Sequence, residues 1–320
     1  MFRNTVRVYF LRVERNFSQN RQNSNVAFLG CGQMGARMVN NLIKHGKKPK
    51  IYDVVPSAIQ NIQGATPCST PEETVEGADI IITMLPNGQI VKDTIMGDKG
   101  VLKNIRKNAL LLDCSTTGPQ VARKLNEAAQ AANVRFLDAP VSGGVVGAQA
   151  GTLCFMVGGN EKDCKEVEPV LLHMGSKVHF CGASGAGQIT KLCNNLILGV
   201  TMIGTCEAMN LGIKLGLDPK LLTDVVNVST GRSWSSDTYN PVPGVMENVP
   251  AARDYEGGFS CELIAKDLGL AGDAALSINA PVPLTALTHQ IFRTLMTYNL
   301  GKKDFSVVYK YFKGEALKNN

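Results

Sequence analysis

Three glycines stand in Gly30-Cys31-Gly32-Gln33-Met34-Gly35, directly after the apolar run Val26–Leu29 and directly before a helical stretch over Ala36–His45. Each glycine has a physical task in that setting. The first permits a tight turn, the second lets backbone approach a pyrophosphate, and the third lets the helix pack on its strand. The loop amides, Gln33 and Met34 included, and the helix N-terminus then face the phosphates. Asp53 closes the next apolar segment, Lys50–Tyr52, about 20 residues on, where a carboxylate accepts hydrogen bonds from a ribose 2′-hydroxyl and repels a 2′-phosphate. Val54, Val55 and Pro56 supply no arginine to neutralise such a phosphate, so NAD is expected over NADP. A glycine-rich turn without a ligand is the bland alternative.

Two further apolar runs end in Met84-Leu85-Pro86-Asn87 and in Asp113-Cys114-Ser115-Thr116-Thr117. On the carboxyl edge of a sheet, the backbone of Leu85 and Pro86 and the Thr116 hydroxyl are placed to flank a nicotinamide ribose. Taken singly, each is also an ordinary strand-ending turn. Asp138-Ala139-Pro140-Val141-Ser142-Gly143-Gly144 ends a strand with a hydroxyl and two glycines, whose consecutive N–H groups form a nest suited to a carboxylate. A plain turn is the other reading. In Gly185-Ala186-Gly187-Gln188-Ile189-Thr190-Lys191-Leu192-Cys193-Asn194-Asn195, Lys191 and Asn195 are four apart and share a helical face. Apolar Ile189, Leu192, Leu196 and Ile197 around them point to a buried seam between domains. A lysine there acts as an acid–base group if desolvation lowers its pKa from about 10.4 towards neutrality. Most helical lysines are instead solvated surface residues.

The elements that must carry these residues fall into two groups. Strands are expected at Val26–Leu29, Lys50–Tyr52, Ile80–Met84, Leu110–Asp113, Arg135–Asp138, Leu153–Val157 and Lys177–Phe180, alternating with helical segments. That alternation implies a Rossmann-type, doubly wound and mostly parallel sheet in an NAD-binding domain over 25–185. From Gly182 on the strands stop, and Ala186–Leu215, Pro219–Ser229, Cys261–Ser277 and Pro283–Tyr298 read as helices of an all-α domain over 186–320. Residues 230–260, with the lone Trp234, read as a long loop.

The ordered set Gly30–Gly35, Asp53, Leu85-Pro86, Asp113–Thr116, Asp138–Gly144, Gly185–Asn195 and Lys266-Asp267-Leu268 resembles the β-hydroxyacid dehydrogenase family over residues 25–312. Its most specific pieces are the DAPVSGG and GxGxxxKLxNN segments. The resemblance implies that Lys191 is the catalytic lysine, that Asn195 and the Ser142-Gly143-Gly144 backbone hold a substrate carboxylate, and that Lys266 sits by cofactor and substrate. Close relatives often carry a polar side chain where Ile90 stands, so Ile90 is given no role. The implied activity is oxidation of 3-hydroxyisobutyrate to methylmalonate semialdehyde, in valine breakdown, with Lys191 as general base. Alternatives are a related semialdehyde reductase and a non-catalytic dinucleotide-binding module. Phosphogluconate dehydrogenase is similar in the first domain but has a far larger helical domain.

With 320 residues the chain is long enough for two domains. Of the net charge of +6, residues 1–24 supply five arginines against Glu14, which is +4, and +2 remains for the rest. That is no nucleic-acid footprint. The same segment is amphipathic, Arg-rich and acid-poor, the composition of a mitochondrial transit peptide, so a matrix location is expected. No uninterrupted apolar run reaches the roughly 18 to 20 residues of a membrane span, and no membrane partner is expected. Nine cysteines without a CxxC pair and four scattered histidines imply no metal and a reducing compartment. Apolar faces on 283–300 suit pairing with a second copy, as a dimer or tetramer.

Overall fold

The structure, a computed structural model, describes residues 24–315, so the expected transit segment 1–24 lies, apart from Ser24, outside the described residues. These residues divide into two compact units. One comprises residues up to Gly143 together with Gly147–Gly187, the other Gly144–Val146 and residues from Gln188 on.

The first unit is built on β1 (Val26–Leu29), β2 (Lys50–Tyr52), β3 (Thr66–Pro67), β4 (Ile80–Thr83), β5 (Leu110–Asp113), β6 (Arg135–Asp138), β7 (Val141–Ser142), β8 (Leu153–Gly159) and β9 (Gly175–Gly182). Their order is β3-β2-β1-β4-β5-β6-β8-β7, with β9 also on β8. The pairs from β3 to β6 are parallel, and β8 runs antiparallel to β6. Strands buried on both faces need apolar residues throughout, and VAFL, IIIT and LLLD meet that need.

Successive residues feed opposite cores. Phe28, Ile80, Ile82, Leu110 and Leu112 pack with Met38, Val39 and Leu42 of the helix Gly35–Lys44 and with Val167 and Leu171 of Glu161–Leu171. Ala27, Leu29, Ile81 and Leu111 pack with Val91 and Ile95 of Gly88–Met96 and with Ala122, Leu125 and Ala129 of Pro119–Ala131. Helices therefore cover both faces, as the doubly wound reading requires. The order reverses between β1 and β4, because β2 lies on one side of β1 and β4 on the other. Such a switch point opens a crevice at the carboxyl ends of the strands.

The strand reading missed two elements. β3 is two residues long and too short to show a period. β7 was expected to be a turn, yet Val141↔Phe155 and Ser142↔Cys154 continue, against β8, the register set by Leu137↔Gly159 and Asp138↔Gly158. β6 and β7 are one extended path interrupted at Pro140, which has no N–H but still accepts from Met156 through its carbonyl at 3.0 Å.

The second unit is helical. Met202, Cys206 and Met209 of Ala186–Lys214, Ile264 and Leu268 of Cys261–Leu276, and Phe292 and Leu295 of Pro283–Thr297 share one core with Tyr255 and Phe305. Ala186–Lys214 is, by its length and a window of mean hydropathy 1.5, apolar enough to cross a membrane, contrary to the expectation that no apolar run reaches that length. Thr201 and Thr205 interrupt its apolar run, but their hydroxyls donate to the carbonyls of Ile197 and Thr201 at 2.8 Å and so hide their polarity along the helix. Residues 230–260 are more ordered than a plain loop. They include the helical turn Trp234–Asp237, capped by Ser233, and the 3₁₀ turn Pro250–Arg253. The buried Asp304 carboxylate anchors the segment, accepting from the Tyr239 hydroxyl at 2.9 Å and the Phe259 amide at 2.7 Å.

Phe28 is fully buried behind the exit of β1. Phe28→Ala should therefore lower stability by about 3–5 kcal/mol through lost burial and the cavity left behind, read as a lower urea midpoint for the sheet unit.

Candidate active site

At the switch point the backbone runs so close that side chains are excluded. Gly30 has φ +95°, and a Cβ there would strike the Met84 carbonyl and sit 2.8 Å from Leu85 Cδ2. A Cβ on Gly35 would collide with the Gly30 carbonyl and meet Phe28 Cε1 at 3.1 Å. Gly32 differs, being exposed, with no protein atom within 4 Å of a Cβ built on it. Packing dictates the outer glycines and not the middle one. The helix Gly35–Lys44 has no side-chain cap at its start and no acid in its first turn, so its leading amides, beside exposed Gln33 and half-buried Met34, suit an anion.

Asp53 is bound to this loop. Its Oδ2 accepts from the Cys31 amide at 2.7 Å and its Oδ1 from the Val55 amide at 2.8 Å, while the Gly30 amide donates to the Tyr52 carbonyl at 2.9 Å. The carboxylate thus has a fixed place at the end of β2, with lone pairs left for a ribose diol. Burial, reinforced by Asp53, pushes the Cys31 thiol up to about 12, so it stays protonated and offers no nucleophile.

The ends of β4, β5 and β6 are tied side to side. Thr83 and Asp113 are register partners, as are Asp113 and Asp138. Asp113 is wholly buried, and its Oδ1 accepts from the Thr83 hydroxyl at 2.9 Å and the Ser115 amide at 3.1 Å. Its Oδ2 takes the Thr117 hydroxyl at 3.4 Å. Ser115 Oγ in turn accepts from the Leu85 amide at 2.9 Å. Burial pushes the Asp113 carboxyl up to about 6, against the lowering by its hydrogen bonds from Ser115 and Thr83. Half-buried Leu85 and Thr116 and exposed Pro86 lie on the two turns so joined.

Asp138 is also wholly buried, and its Oδ1 accepts from the Gly185 amide at 2.7 Å, binding β6 to the residue that precedes the long helix. Gly158 is a glycine on its account, since a Cβ there would fall within 3 Å of the carboxylate, whereas a Cβ on Gly187 would first strike the Met156 carbonyl. After β7 come Gly143 with φ +128° and Gly144 with φ +61°, both exposed, so the two glycines expected to form a nest do take left-handed backbone in succession.

In the helical unit Lys191 is 8% exposed and Asn195 1%. Leu192 is buried with them, whereas Ile189 and Ile197 are exposed at 42% and 61%, so the apolar surroundings expected for the lysine are only partly a packed face. Asn195 Nδ2 donates to Asp267 Oδ2 at 2.6 Å, and Asn194 Nδ2 donates to Asn195 Oδ1 at 3.1 Å. Half-buried Lys266 lies 3.3 Å from Asp267 Oδ1. Asp267 thereby joins Asn195 to Lys266. Sequence spacing could not show this, because 72 residues separate the aspartate from its asparagine. A signal for Asp113 and Asp138 was present, in that LLLD and RFLD each end an apolar strand in an acid, a costly residue to bury without partners. Among the described residues no group of three or more His, Cys, Asp or Glu is placed to hold a metal.

Residues 25–182 match the family described as the NAD-binding domain of 6-phosphogluconate dehydrogenase, and residues 185–312 that described as NAD-binding of NADP-dependent 3-hydroxyisobutyrate dehydrogenase. The chain is 50% identical to the mitochondrial 3-hydroxyisobutyrate dehydrogenase of Homo sapiens over 91% of its length and 87% of that protein. It is 45% identical to the NAD-dependent L-serine dehydrogenase of Pseudomonas aeruginosa, over 90% of this chain and 97% of that one. The 3-hydroxyisobutyrate dehydrogenase of Mycobacterium tuberculosis, solved with L-serine, superposes with a TM-score of 0.86 at 40% identity, covering 91% and 99% of the two chains. NAD is the cofactor of this chain.

The contrast between the glycines is testable. Gly32→Ala should leave the melting temperature near wild type while weakening NADH binding at least about tenfold, because its methyl meets ligand and not protein. Gly35→Ala should destabilise the sheet unit itself. Calorimetry and NADH fluorescence titration on both variants separate the two effects.

Proposed function

Because the chain belongs to the 3-hydroxyisobutyrate dehydrogenase family, we propose that it oxidises the primary alcohol of 3-hydroxyisobutyrate to methylmalonate semialdehyde, a step of valine breakdown. The observation that carries this reading is a buried lysine, Lys191, one helical turn from the buried amide of Asn195. Bound NAD supplies the acceptor for the hydride that leaves C3. Lys191, as the neutral amine, takes the hydroxyl proton, and the C3–O bond becomes a carbonyl. In the reverse direction its ammonium form polarises the aldehyde and returns the proton.

Asn195 and the Ser142, Gly143 and Gly144 backbone hold the substrate carboxylate. The fixed amide of Asn195 and the consecutive left-handed glycines support those roles. Lys266, steadied by Asp267, serves the cofactor. The enzyme works in the mitochondrial matrix, in keeping with the mitochondrial relatives and the arginine-rich segment 1–24. A dimer or tetramer forms through apolar faces such as that of Leu284 and Leu287, which are more than 60% exposed.

Lys191→Ala should bind NADH within about twofold of wild type and lose turnover by at least about 10²-fold. Near-normal turnover would sink the assignment of Lys191, whereas a wild-type chain that binds NADH without any turnover would favour a non-catalytic dinucleotide-binding module.

L-serine is the second substrate reading, since two of the relatives carry it in their descriptions and it shares the carboxylate and primary alcohol of 3-hydroxyisobutyrate. Initial rates of NADH formation from short 3-hydroxy acids, with NAD and with NADP, decide between them. The highest kcat/KM is expected for 3-hydroxyisobutyrate with NAD. A higher value for L-serine overturns the substrate, and a higher value with NADP overturns the role given to Asp53.

A further inference from the structure

Asp113 is a buried charge whose presence stability does not explain. Its folded pKa of about 6 lies above the unfolded value near 3.9, so the ionised group costs stability above about pH 6, a cost that fades as pH falls towards 4. The in-register neighbours offer no cation: Thr83 on β4 is uncharged and Asp138 on β6 is itself an acid that raises it further. A neutral side chain at this strand end would carry no such ionisation cost. What the carboxylate uniquely supplies is a set of acceptor contacts, and they are unevenly placed. It takes the amide and hydroxyl of Ser115 and the hydroxyl of Thr117, the residues on either side of Thr116. It also takes the hydroxyl of Thr83, the last residue of β4 before the turn at Leu85 and Pro86.

We infer that Asp113 is a positioning residue for the cofactor, which holds the turns at Leu85-Pro86 and at Thr116 in one fixed relation before NAD binds. The inference rests on the reading of Leu85, Pro86 and Thr116 as residues that flank the nicotinamide ribose. The link between the turns is short and complete. Asp113 fixes the Ser115 amide, Ser115 Oγ accepts the Leu85 amide, and Leu85 Cδ2 lies against Gly30 of the phosphate loop. By gripping 115 and 117, Asp113 fixes the turn on both sides of half-buried Thr116. Fixing these groups in advance spares binding the ordering of two loops, so the benefit appears as cofactor affinity and not as fold stability.

The test measures NADH dissociation constants and melting temperatures of the full chain for Asp113→Ala, Asp113→Asn, Ser115→Ala and Thr116→Val. Asparagine keeps an oxygen for Thr83 and the Ser115 amide and turns its NH2 to the Thr117 hydroxyl, so Asp113→Asn should bind NADH within about twofold of wild type. Ser115→Ala, which removes the acceptor of the Leu85 amide and the hydroxyl that bonds Asp113, should weaken NADH at least about fivefold while the chain still folds, the loss expected for one hydrogen bond or more. Asp113→Ala should weaken binding further. If it fails to fold, the asparagine and Ser115 variants decide alone. Wild-type affinity in Ser115→Ala, or Asp113→Asn as weak as or weaker than Ser115→Ala, overturns the positioning role while a weakened Thr116→Val leaves the cofactor reading standing. Wild-type affinity in Thr116→Val overturns that reading, and the inference with it.

Discussion

The first and fourth strands leave the sheet side by side, and the chain must turn from β1 into a helix within the width of that gap. Gly30 lies against the Met84 carbonyl and Gly35 against the Gly30 carbonyl, so no side chain fits at either place. Much of the first unit follows from this close approach. The helix Gly35–Lys44 can press Met38, Val39 and Leu42 onto the sheet because its first turn comes so near the backbone. Its leading amides end at the crevice where the strand order reverses, which is where an anionic cofactor gains most from them.

A sheet that crowds its strand ends so tightly must also satisfy the polar groups caught there, and this protein does so with acids. Asp53, Asp113 and Asp138 each end a strand and each take backbone amides from a neighbouring turn: Cys31, Ser115 and Gly185. Three carboxylates therefore define three loop ends. Asp138 shows how far this constrains sequence, since Gly158 is small to admit it. An unpaired N–H buried at these turns would cost about 1–3 kcal/mol, comparable with burying a well-bonded acid.

The helical unit meets a different demand. It must bury a lysine and the Asn195 carboxamide in a long apolar helix with partners for their polar atoms. Asp267 answers for Asn195, and the threonine hydroxyls at 201 and 205 answer to carbonyls of their own helix. With its polarity so internalised, Ala186–Lys214 satisfies the length and hydropathy of a membrane span while contributing Met202, Cys206 and Met209 to the core of the unit.

Most of the architecture could be read from sequence because it rests on local periodicities. Runs such as VAFL and LLLD, buried on both faces, announce parallel strands, and glycines at 30, 32 and 35 between such a run and a helix announce the dinucleotide loop. The NAD cofactor was legible too, expected from an acid, Asp53, with no arginine just after it. Spacing could not show which glycines serve packing and which serves a ligand, nor that Val141-Ser142 extends β6 along β8, because Pro140 hides the continuity. It could not pair Asp113 with Thr83, Asp138 with Gly185, or Asn195 with Asp267, contacts that span 30, 47 and 72 residues. Periodicity records which face of an element is buried. A hydrogen bond of under 3 Å between distant elements is set by how those elements pack, and only the folded chain decides that.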